Sequence, residues 1–184
     1  MKKFKVGILG ATGMVGQNYI RLLENHPYFE VTYLAASLNS AGKKYAESVS
    51  GRWQMNSPIP ENIKNIMVED VLDIEKAKNK CIFVFSAFEI PDKKIVKEIE
   101  EKYAEAGLPV VSNASANRPT LDVPMIIPEI NPEHLEMINQ QKKNRKWNKG
   151  FIVVKPNCSL QSYLTPIFAL EKAGYPIKKI FVTT

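Results

Sequence analysis

The chain has 184 residues, of which 45% are hydrophobic and 24% charged, and a formal net charge of +6. This composition is ordinary for a globular protein, and the length allows one good-sized domain, or one domain plus part of another. No apolar run is long enough to span a bilayer and no signal peptide is recognisable, so we expect a cytoplasmic protein with no membrane partner. The two cysteines have no C-x-x-C spacing, so we expect neither a disulfide nor a bound metal.

Much of the positive charge lies in one tract around Trp147, formed by Lys142, Lys143, Arg145, Lys146 and Lys149. A short basic loop is usually just solvated, and this tract lacks the spaced aromatic residues of a nucleic-acid surface. We therefore expect no nucleic-acid partner. A positive bias also suits an enzyme that binds anionic phosphates.

The stretch from Phe4 to Gly16, FKVGILGATGMVG, predicts a nucleotide-binding turn. Its apolar start indicates a buried parallel strand, and Gly10, Gly13 and Gly16 mark a turn into a helix. Such a turn lets the backbone approach a pyrophosphate, which the helix N-terminus attracts with free N–H groups and a positive dipole. The spacing is not the usual G-x-G-x-x-G, so the position between strand and helix supports the prediction; a turn without ligand is the alternative. The helix is expected to bury Val15, Tyr19, Leu22 and Leu23.

The second strand, Phe29 to Ala36, ends in the polar loop SLNSAGKKY, residues 37–45. NAD-binding folds commonly place an Asp or Glu about twenty residues past the glycines, where it binds the ribose 2′-hydroxyl. Ala36 and Ser37 occupy that place here, and hydroxyls, an amide and two lysines follow. A carboxylate would repel a 2′-phosphate whereas this cluster can accept one, so the sequence favours NADP over NAD.

Further strands and helices alternate along the chain. Strands are predicted at 66–68, at 81–87, from 110 and at 151–154, and helices at 91–106 and from the segment 129–134 to about 141. The alternation predicts an α/β, Rossmann-type fold with a mostly parallel sheet and helices on both faces. Ser86 ends one strand at the edge where ligands of open α/β sheets bind, whereas Cys81 begins it and is expected to be a small core residue.

Cys158 is the candidate nucleophile. It follows the strand at 151–154, and Asn157 before it suits the N-cap of a helix. The dipole and free N–H groups of a first helical turn favour the reactive thiolate, and Lys155 adds positive charge. The same N–H groups and the Asn157 amide can stabilise an oxyanion. The alternative is a cysteine that is simply small and buried.

Taken together, these motifs resemble those of aspartate-semialdehyde dehydrogenase, particularly its archaeal and fungal-like branch. The resemblance runs the whole length of the chain. The segments that support it are, in order, GATGMVG (10–16), SLNSAGKKY (37–45), Ser112-Asn113, Arg118, VPMIIPEINP (123–132) and Pro156-Asn157-Cys158.

The resemblance implies roles for these residues. Cys158 is implied as the nucleophile that forms an acyl thioester, with Asn157 beside it, and Arg118 as the arginine that binds phosphate. The implied cofactor-binding residues are Gly10, Thr12, Gly13, Met14 and Val15 of the turn, Ser37, Asn39 and Ser40 near the 2′-phosphate, and Ser86, Ser112 and Asn113. Asn39 stands where the branch usually has an arginine, so the strictness for NADP over NAD stays open.

The implied activity is the NADP-dependent, reductive dephosphorylation of L-aspartyl 4-phosphate to aspartate 4-semialdehyde through a cysteine thioester, in lysine, threonine and methionine biosynthesis. The implied partners are a small-molecule substrate, phosphate and, at full length, further copies of the chain in a dimer or tetramer. Malonyl-CoA reductase and N-acetyl-glutamyl-phosphate reductase of the same superfamily remain alternatives. An alternative of another class is a non-catalytic nucleotide-binding domain.

Members of that family are much longer than this chain, so we expect its N-terminal part. Residues 1–157 would form the dinucleotide-binding domain, and residues 158–184 would begin a truncated α+β domain for catalysis and dimerisation. Ile177 to Thr184 is predicted to begin a strand. The general-base histidine and the arginine for the substrate carboxylate would lie beyond Thr184, so we expect negligible turnover from these residues alone.

Overall fold

The computed structural model describes residues 2–183. Its strands are β1 Phe4–Leu9, β2 Phe29–Ala36, β3 Val68–Asp70, β4 Phe83–Ser86, β5 Val110–Ser112 and β6 Ile152–Val154. Its helices are α1 Met14–Leu23, α2 Tyr45–Ser48, α3 Glu61–Lys64, α4 Ile74–Lys80, α5 Lys93–Glu105, α6 Met137–Arg145 and α7 Cys158–Lys172. A 3-10 helix, Pro132–Glu136, precedes α6.

Within this described part, the strands form one six-stranded sheet in the order β3-β2-β1-β4-β5-β6. Every neighbouring pair is parallel, which confirms the predicted Rossmann-type sheet. The strand order reverses between β1 and β4, and this is where ligands of open α/β sheets bind. The register pairs Leu9 with Ser86, Ser86 with Ser112, and Ser112 with Val154. The carboxyl ends of four strands therefore lie in one row.

Apolar side chains fill both faces of the sheet. One face packs against α4 and α5 through Leu9, Tyr33, Val84, Ala77, Ile99 and Tyr103. The other packs against α1, α2 and α3 through Val6, Ile8, Ile20, Tyr45 and Ile63. Helices therefore cover both faces, as the alternating elements predict.

Cys81 belongs to this core, as expected. Its side chain is buried among neighbours, and its thiol donates to the Ala77 carbonyl oxygen over 3.3 Å. Burial raises the pKa of the Cys81 thiol to about 12. The thiol is therefore protonated, and unreactive as a nucleophile, near neutral pH.

The predicted buried face of α1 is partly wrong. Val15 and Leu22 are exposed, by 40% and 62%. A Cβ on Gly16 would lie 2.2 Å from the Gly10 carbonyl oxygen, so the helix can lie against the turn only with its glycine side inward. That rotation turns Val15 outward. The residues that the helix buries are Gly16, Gln17 and Ile20.

The strand predicted from Ile177 is also wrong for the described residues. Residues 177–183 form neither helix nor strand, and Thr184 lies outside the described part. A strand is stable only when it pairs with another, and this segment pairs with no described strand.

Other boundaries shift by a few residues. The third strand forms at Val68–Asp70 rather than at 66–68, and the helix predicted to end near 141 continues to Arg145. Arg145 binds Asp122 and Glu101, which are distant in sequence, so no local pattern reveals where this helix ends.

No helix among residues 2–183 is long and apolar enough to cross a membrane. The same residues contain no group of three or more histidine, cysteine, aspartate or glutamate side chains able to hold a metal ion.

Candidate functional site

The glycine turn after β1 is packed tightly against its surroundings. Gly10 has a φ of +74°, and a Cβ there would lie 2.6 Å from the Ala87 carbonyl oxygen. A Cβ on Gly16 would lie 2.2 Å from the Gly10 carbonyl oxygen. Both contacts are with backbone, which cannot move aside as the end of a flexible side chain can. The fold itself therefore requires glycine at these two positions.

Gly13 differs from the other two glycines. The nearest atom to a Cβ on Gly13 would be the Gly10 carbonyl oxygen at 3.6 Å, an ordinary contact. Gly13 is the N-cap of α1, is exposed together with Met14 and Val15, and provides no side-chain cap. The first turn also has no acidic residue. Its N–H groups are therefore open to an anion, which is what a pyrophosphate requires.

Two buried polar side chains hold this turn, and the sequence analysis missed both. Gln17 Nε2 donates to the Thr12 carbonyl oxygen over 3.0 Å and to the Arg52 carbonyl oxygen over 2.9 Å. The Tyr45 hydroxyl donates to the Ala11 carbonyl oxygen over 3.0 Å. For Gln17 a signal was available in the sequence. A glutamine directly after Gly16 lies in the helical turn that must face the sheet, so its amide needs hydrogen-bond partners there.

The loop after β2 divides into an exposed and a buried part. Ser37 and Asn39 are exposed, whereas Ser40 is 4% exposed and its carbonyl oxygen accepts from Ser48 Oγ over 3.0 Å. Lys43 Nζ donates to the Asn39 carbonyl oxygen over 3.4 Å, so its positive charge lies beside the exposed part. Ser37 and Asn39 are therefore the two predicted residues here whose side chains are free to meet a 2′-phosphate.

The row of strand ends brings the predicted segments to one edge. The Ala87 N–H donates to the Leu9 carbonyl oxygen over 2.8 Å, and the Asn113 N–H to the Ser86 carbonyl oxygen over 2.8 Å. The Lys155 N–H donates to the Ser112 carbonyl oxygen over 3.0 Å. The glycine turn, Ser86, the segment from Ser112 and the approach to Cys158 therefore leave the sheet side by side.

Ser86 and Ser112 lie at this edge but face inward. Ser86 is 0% exposed and Ser112 is 1% exposed. Ser112 Oγ donates to Glu100 Oε1 over 2.6 Å, so its hydroxyl is already bound within the protein. The half-buried Asn113 follows, and its N–H is bound to Ser86. Their roles as cofactor contacts stay predictions.

Arg118 lies in the loop that follows β5. Its Nη2 donates to the Asn113 carbonyl oxygen over 3.1 Å, which folds the side chain back towards the start of the loop. Its Nε is buried without a hydrogen-bond partner among residues 2–183. A guanidinium that keeps an unused donor suits the binding of a phosphate or carboxylate.

Cys158 is the first residue of α7 and is exposed within the described residues. Asn157 is the N-cap, and its Oδ1 accepts from the Ser159 N–H over 2.8 Å. The Asn157 side-chain oxygen is therefore used by the helix, and its NH₂ group is the part that can act on a ligand. An exposed thiol at a helix N-terminus has the position that nucleophilic cysteines use.

Lys155 connects Arg118 with Cys158. Partial burial and the Arg118 guanidinium lower the pKa of the Lys155 amine, and the Cys158 sulfur acts in the opposite direction. Lys155 Nζ donates to the Pro156 carbonyl oxygen over 3.2 Å, which holds the amine at the turn into α7. The Lys155 amine therefore lies within charge range of both the Arg118 guanidinium and the Cys158 sulfur, and the two cationic side chains on this edge favour an anionic substrate.

The family described as "Semialdehyde dehydrogenase, NAD binding domain" matches residues 5–138. Among curated proteins, an aspartate-semialdehyde dehydrogenase from Archaeoglobus fulgidus is 44% identical over 190 aligned residues, covering 95% of this chain and 53% of that protein. A malonyl CoA reductase (NADP) from Metallosphaera sedula is 38% identical, covering 95% of this chain and 51% of that protein.

Among solved structures, aspartate semialdehyde dehydrogenase with NADP from Candida albicans superposes with a TM-score of 0.80. It is 38% identical, and the match covers 95% of this chain and 48% of that one. The chain therefore spans about half the length of the relatives that it matches.

Proposed function

The chain belongs to the semialdehyde dehydrogenase family, and from this membership we propose that it binds NADP and supplies the nucleophile of an aspartate-semialdehyde dehydrogenase. The proposed reaction is the reductive dephosphorylation of L-aspartyl 4-phosphate to aspartate 4-semialdehyde. The observation that supports it best is the position of Cys158. The thiol is exposed at the start of α7, on the same sheet edge as the glycine turn and close to Lys155, which also lies close to Arg118.

The cofactor would be held at three places along the sheet edge. The exposed first turn from Gly13 to Val15 would bind the diphosphate, with the N–H groups of Met14 and Val15 as donors because the Gly13 N–H already donates to Gly10. Ser37 and Asn39, with the amine of Lys43 nearby, would meet the 2′-phosphate. Once bound, NADP supplies or accepts the hydride; the protein's part is to orient it and to activate the thiol.

The chemistry at Cys158 starts with the attack of the thiolate on the acyl carbon of the acyl phosphate. The bond from that carbon to the phosphate oxygen breaks, phosphate leaves with its electron pair, and a thioester remains. The bound reduced cofactor would supply the hydride for reducing this thioester, and the α7 N–H groups and the Asn157 amide would stabilise the oxyanion on the acyl carbon attached to Cys158. Expulsion of the thiolate releases the aldehyde. Arg118 and Lys155 would neutralise the negative charge of the substrate and of the departing phosphate.

Two further proposals concern organisation. The dinucleotide-binding domain would end at residue 157, since β6 is the last strand of the described sheet and α7 buries none of its residues. Homo-oligomers, dimers or tetramers, would form in the full-length enzyme, measurable by light scattering.

The cofactor proposal is tested by titrating the protein with NADP and with NAD in a calorimeter. We expect NADP to bind at least about tenfold more tightly, because a carboxylate that would repel the 2′-phosphate is absent from residues 37–45. A Ser37→Asp variant should bind NADP more weakly and leave NAD binding much the same. Equal binding of both cofactors would contradict the NADP preference, and binding of neither would contradict the nucleotide site.

The substrate proposal is tested by acyl transfer to Cys158, followed by intact-protein mass spectrometry. Aspartyl phosphate is expected to add one aspartyl group to the wild type and none to Cys158→Ser. Malonyl-CoA serves as the competing donor, because a malonyl CoA reductase is among the similar proteins. A malonyl adduct without an aspartyl adduct would favour that second function. No adduct at Cys158 from either donor would favour a non-catalytic nucleotide-binding domain.

A further inference from the structure

A carboxyl group is buried beneath the candidate site. Glu100 lies on α5 and is 0% exposed. Burying a carboxyl is costly unless it is well bonded, and an apolar residue would fill such a place more cheaply. The hydrogen bonds of its two carboxyl oxygens therefore indicate why a carboxyl group is present at this buried position.

Each oxygen of Glu100 binds one end of the same loop. Ser112 Oγ donates to Oε1 over 2.6 Å, and Asn117 Nδ2 donates to Oε2 over 2.8 Å. Ser112 is the last residue of β5, and Asn117 lies five positions further on and is 0% exposed. Ser112 Oγ also accepts from the Ala114 N–H over 3.0 Å, which fixes the first turn of the loop. Glu100 thus joins the two ends of the segment 112–117 from below.

Arg118 is positioned by a hydrogen bond to Asn113, and these two residues are the neighbours of the two loop ends. Asn113 follows Ser112, and Arg118 follows Asn117 in the chain. The Arg118 guanidinium donates to the Asn113 carbonyl oxygen over 3.1 Å. The loop is therefore closed twice, by this bond and by the two bonds to the Glu100 carboxyl. Releasing either end from Glu100 would separate the two residues that hold the guanidinium in place.

The loop is also tied to the nucleophile. The Lys155 N–H donates to the Ser112 carbonyl oxygen over 3.0 Å, three residues before Cys158. Ser112 therefore bonds to Glu100 through its side chain and to the approach to α7 through its backbone. Burial raises the pKa of the Glu100 carboxyl, while the bonds from Ser112 and Asn117 act in the opposite direction. These two hydrogen bonds thus offset part of the free energy that burying the Glu100 carboxyl costs.

We propose that Glu100 is a positioning residue, whose carboxyl joins Ser112 to Asn117 and thereby holds the Arg118 guanidinium near Lys155, whose amine in turn lies near the Cys158 sulfur. It touches neither substrate nor cofactor. This role rests on the proposed function, because a guanidinium fixed near Lys155 adds to the positive charge on that side of the thiol and favours anionic acyl donors over neutral ones.

The test compares alkylation of Cys158 by iodoacetate, which is an anion, with alkylation by neutral iodoacetamide. The ratio of the two rates reports the positive charge near the sulfur, and changes in thiol reactivity that are common to both reagents cancel. Rates are measured on the Cys158 peptide by mass spectrometry, in wild type, Glu100→Ala, Glu100→Gln and Arg118→Met. Glu98→Ala is the matched control, because Glu98 has the same charge on the same helix and is exposed.

Glu100→Ala should lower the iodoacetate-to-iodoacetamide ratio by about threefold, the effect of one charge several ångströms away in water, and Arg118→Met should do the same. Glu100→Gln should keep the wild-type ratio, since its amide can still accept from Asn117 and donate to Ser112. Glu98→Ala should also leave the ratio unchanged. A purely structural role would lower the melting temperature of Glu100→Ala without changing the ratio.

An unchanged ratio in folded Glu100→Ala, or in Arg118→Met, overturns the proposal. If Glu100→Ala does not fold, Asn117→Ala takes its place, since it releases one end of the loop only; its ratio should fall, and a wild-type ratio counts against the proposal. The result does not depend on cofactor or acyl donor. If the wild type fails to bind NADP or to accept an aspartyl group, the proposed function is refuted. The alkylation ratio would still decide the role of Glu100.

Discussion

Helices α1 and α7 both begin at the carboxyl edge of the sheet, directly after a parallel strand, and each opens one half of the candidate site. Their packing is opposite. Helix α1 buries Gly16, Gln17 and Ile20 against the turn and the sheet. Helix α7 buries none of its residues within the described chain, and it contains a proline, Pro166. The glycine turn is therefore built into the core, whereas Cys158, the proposed nucleophile, lies on a helix with no buried residue in the described chain.

The N-caps of the two helices differ in the same sense. Gly13 caps α1 without a side chain, so the first turn is left open for a ligand, and rigidity comes from Gly10 and Gly16 behind it. Asn157 caps α7 with its own side-chain oxygen, so that helix start is stable without a ligand. The proposed cofactor turn thus has no side-chain cap, whereas one N–H at the start of α7 is already satisfied by Asn157.

The largest contrast should appear in the reactivity of the two cysteines. With a pKa of about 12, about one Cys81 thiol in ten thousand is ionised at pH 8, and it is also buried. Iodoacetamide should therefore modify exposed Cys158 at least about a thousandfold faster than Cys81 in the native protein. Peptide mass spectrometry over time gives both rates, and denaturation in urea should make them similar. If the two cysteines were alkylated at comparable rates in the native protein, Cys158 would not be an unusually reactive thiol.

The glycine turn gives the next largest effect. Gly16→Ala places a methyl group 2.2 Å from a backbone oxygen, and we expect the free energy of unfolding to fall by about 3 kcal/mol or more. Gly13→Ala, with its nearest contact at 3.6 Å, should fold normally but bind NADP more weakly. Urea unfolding and calorimetric titration separate the two outcomes. If both variants lost stability alike, the distinction between packing and binding glycines would be wrong.

Truncating one side chain on each helix measures how firmly that helix is packed. Ile20→Ala in α1 should cost about 3 kcal/mol of unfolding free energy, because the side chain is 1% exposed. Leu164→Ala in α7 should cost less than about 1 kcal/mol, since that side chain is only partly covered. Chemical denaturation measures both. A cost for Leu164→Ala as large as that for Ile20→Ala would show that α7 is anchored as firmly as α1.

The smallest effect is a pH dependence of stability from Glu100. Burial raises the pKa of this carboxyl above its ordinary value of 4.5, so the folded state keeps a proton that the unfolded state has already lost. Stability contributed by this group is therefore complete below pH 4.5 and is lost as pH rises through the folded-state value, by at most about 1.4 kcal/mol per pH unit. Glu100→Gln should remove this decline. Parallel stability curves for wild type and variant above pH 4.5 would contradict it.

Local sequence patterns predicted most of the fold. The apolar runs and the glycine turn predicted β1, β2 and the parallel sheet, because parallel strands covered on both faces are mostly apolar. The polar Asn157 before an amphipathic segment predicted α7 to its first residue, since N-caps are read from single residues.

What the sequence analysis missed depends on neighbours. Glu100 was not singled out, although it shares the helical spacing of Val96 and Tyr103, both buried. In the sequence alone, a charged residue at such a position only breaks the apolar face of the helix. Its role becomes visible when its hydrogen-bond partners, Ser112 and Asn117, are known. The strand expected from Ile177 failed for a related reason, because a strand requires a partner that lies elsewhere in space.

Residues close together in the chain were enough to predict the strands, the four longest helices, the glycine turn and the cysteine that begins a helix, whereas the short helices α2, α3 and α4 were not predicted. The tertiary structure alone decided which face of α1 is buried, which serines turn inward, and which carboxyl holds the loop of Arg118. These features depend on backbone contacts and hydrogen bonds between segments that only the register of the sheet brings together.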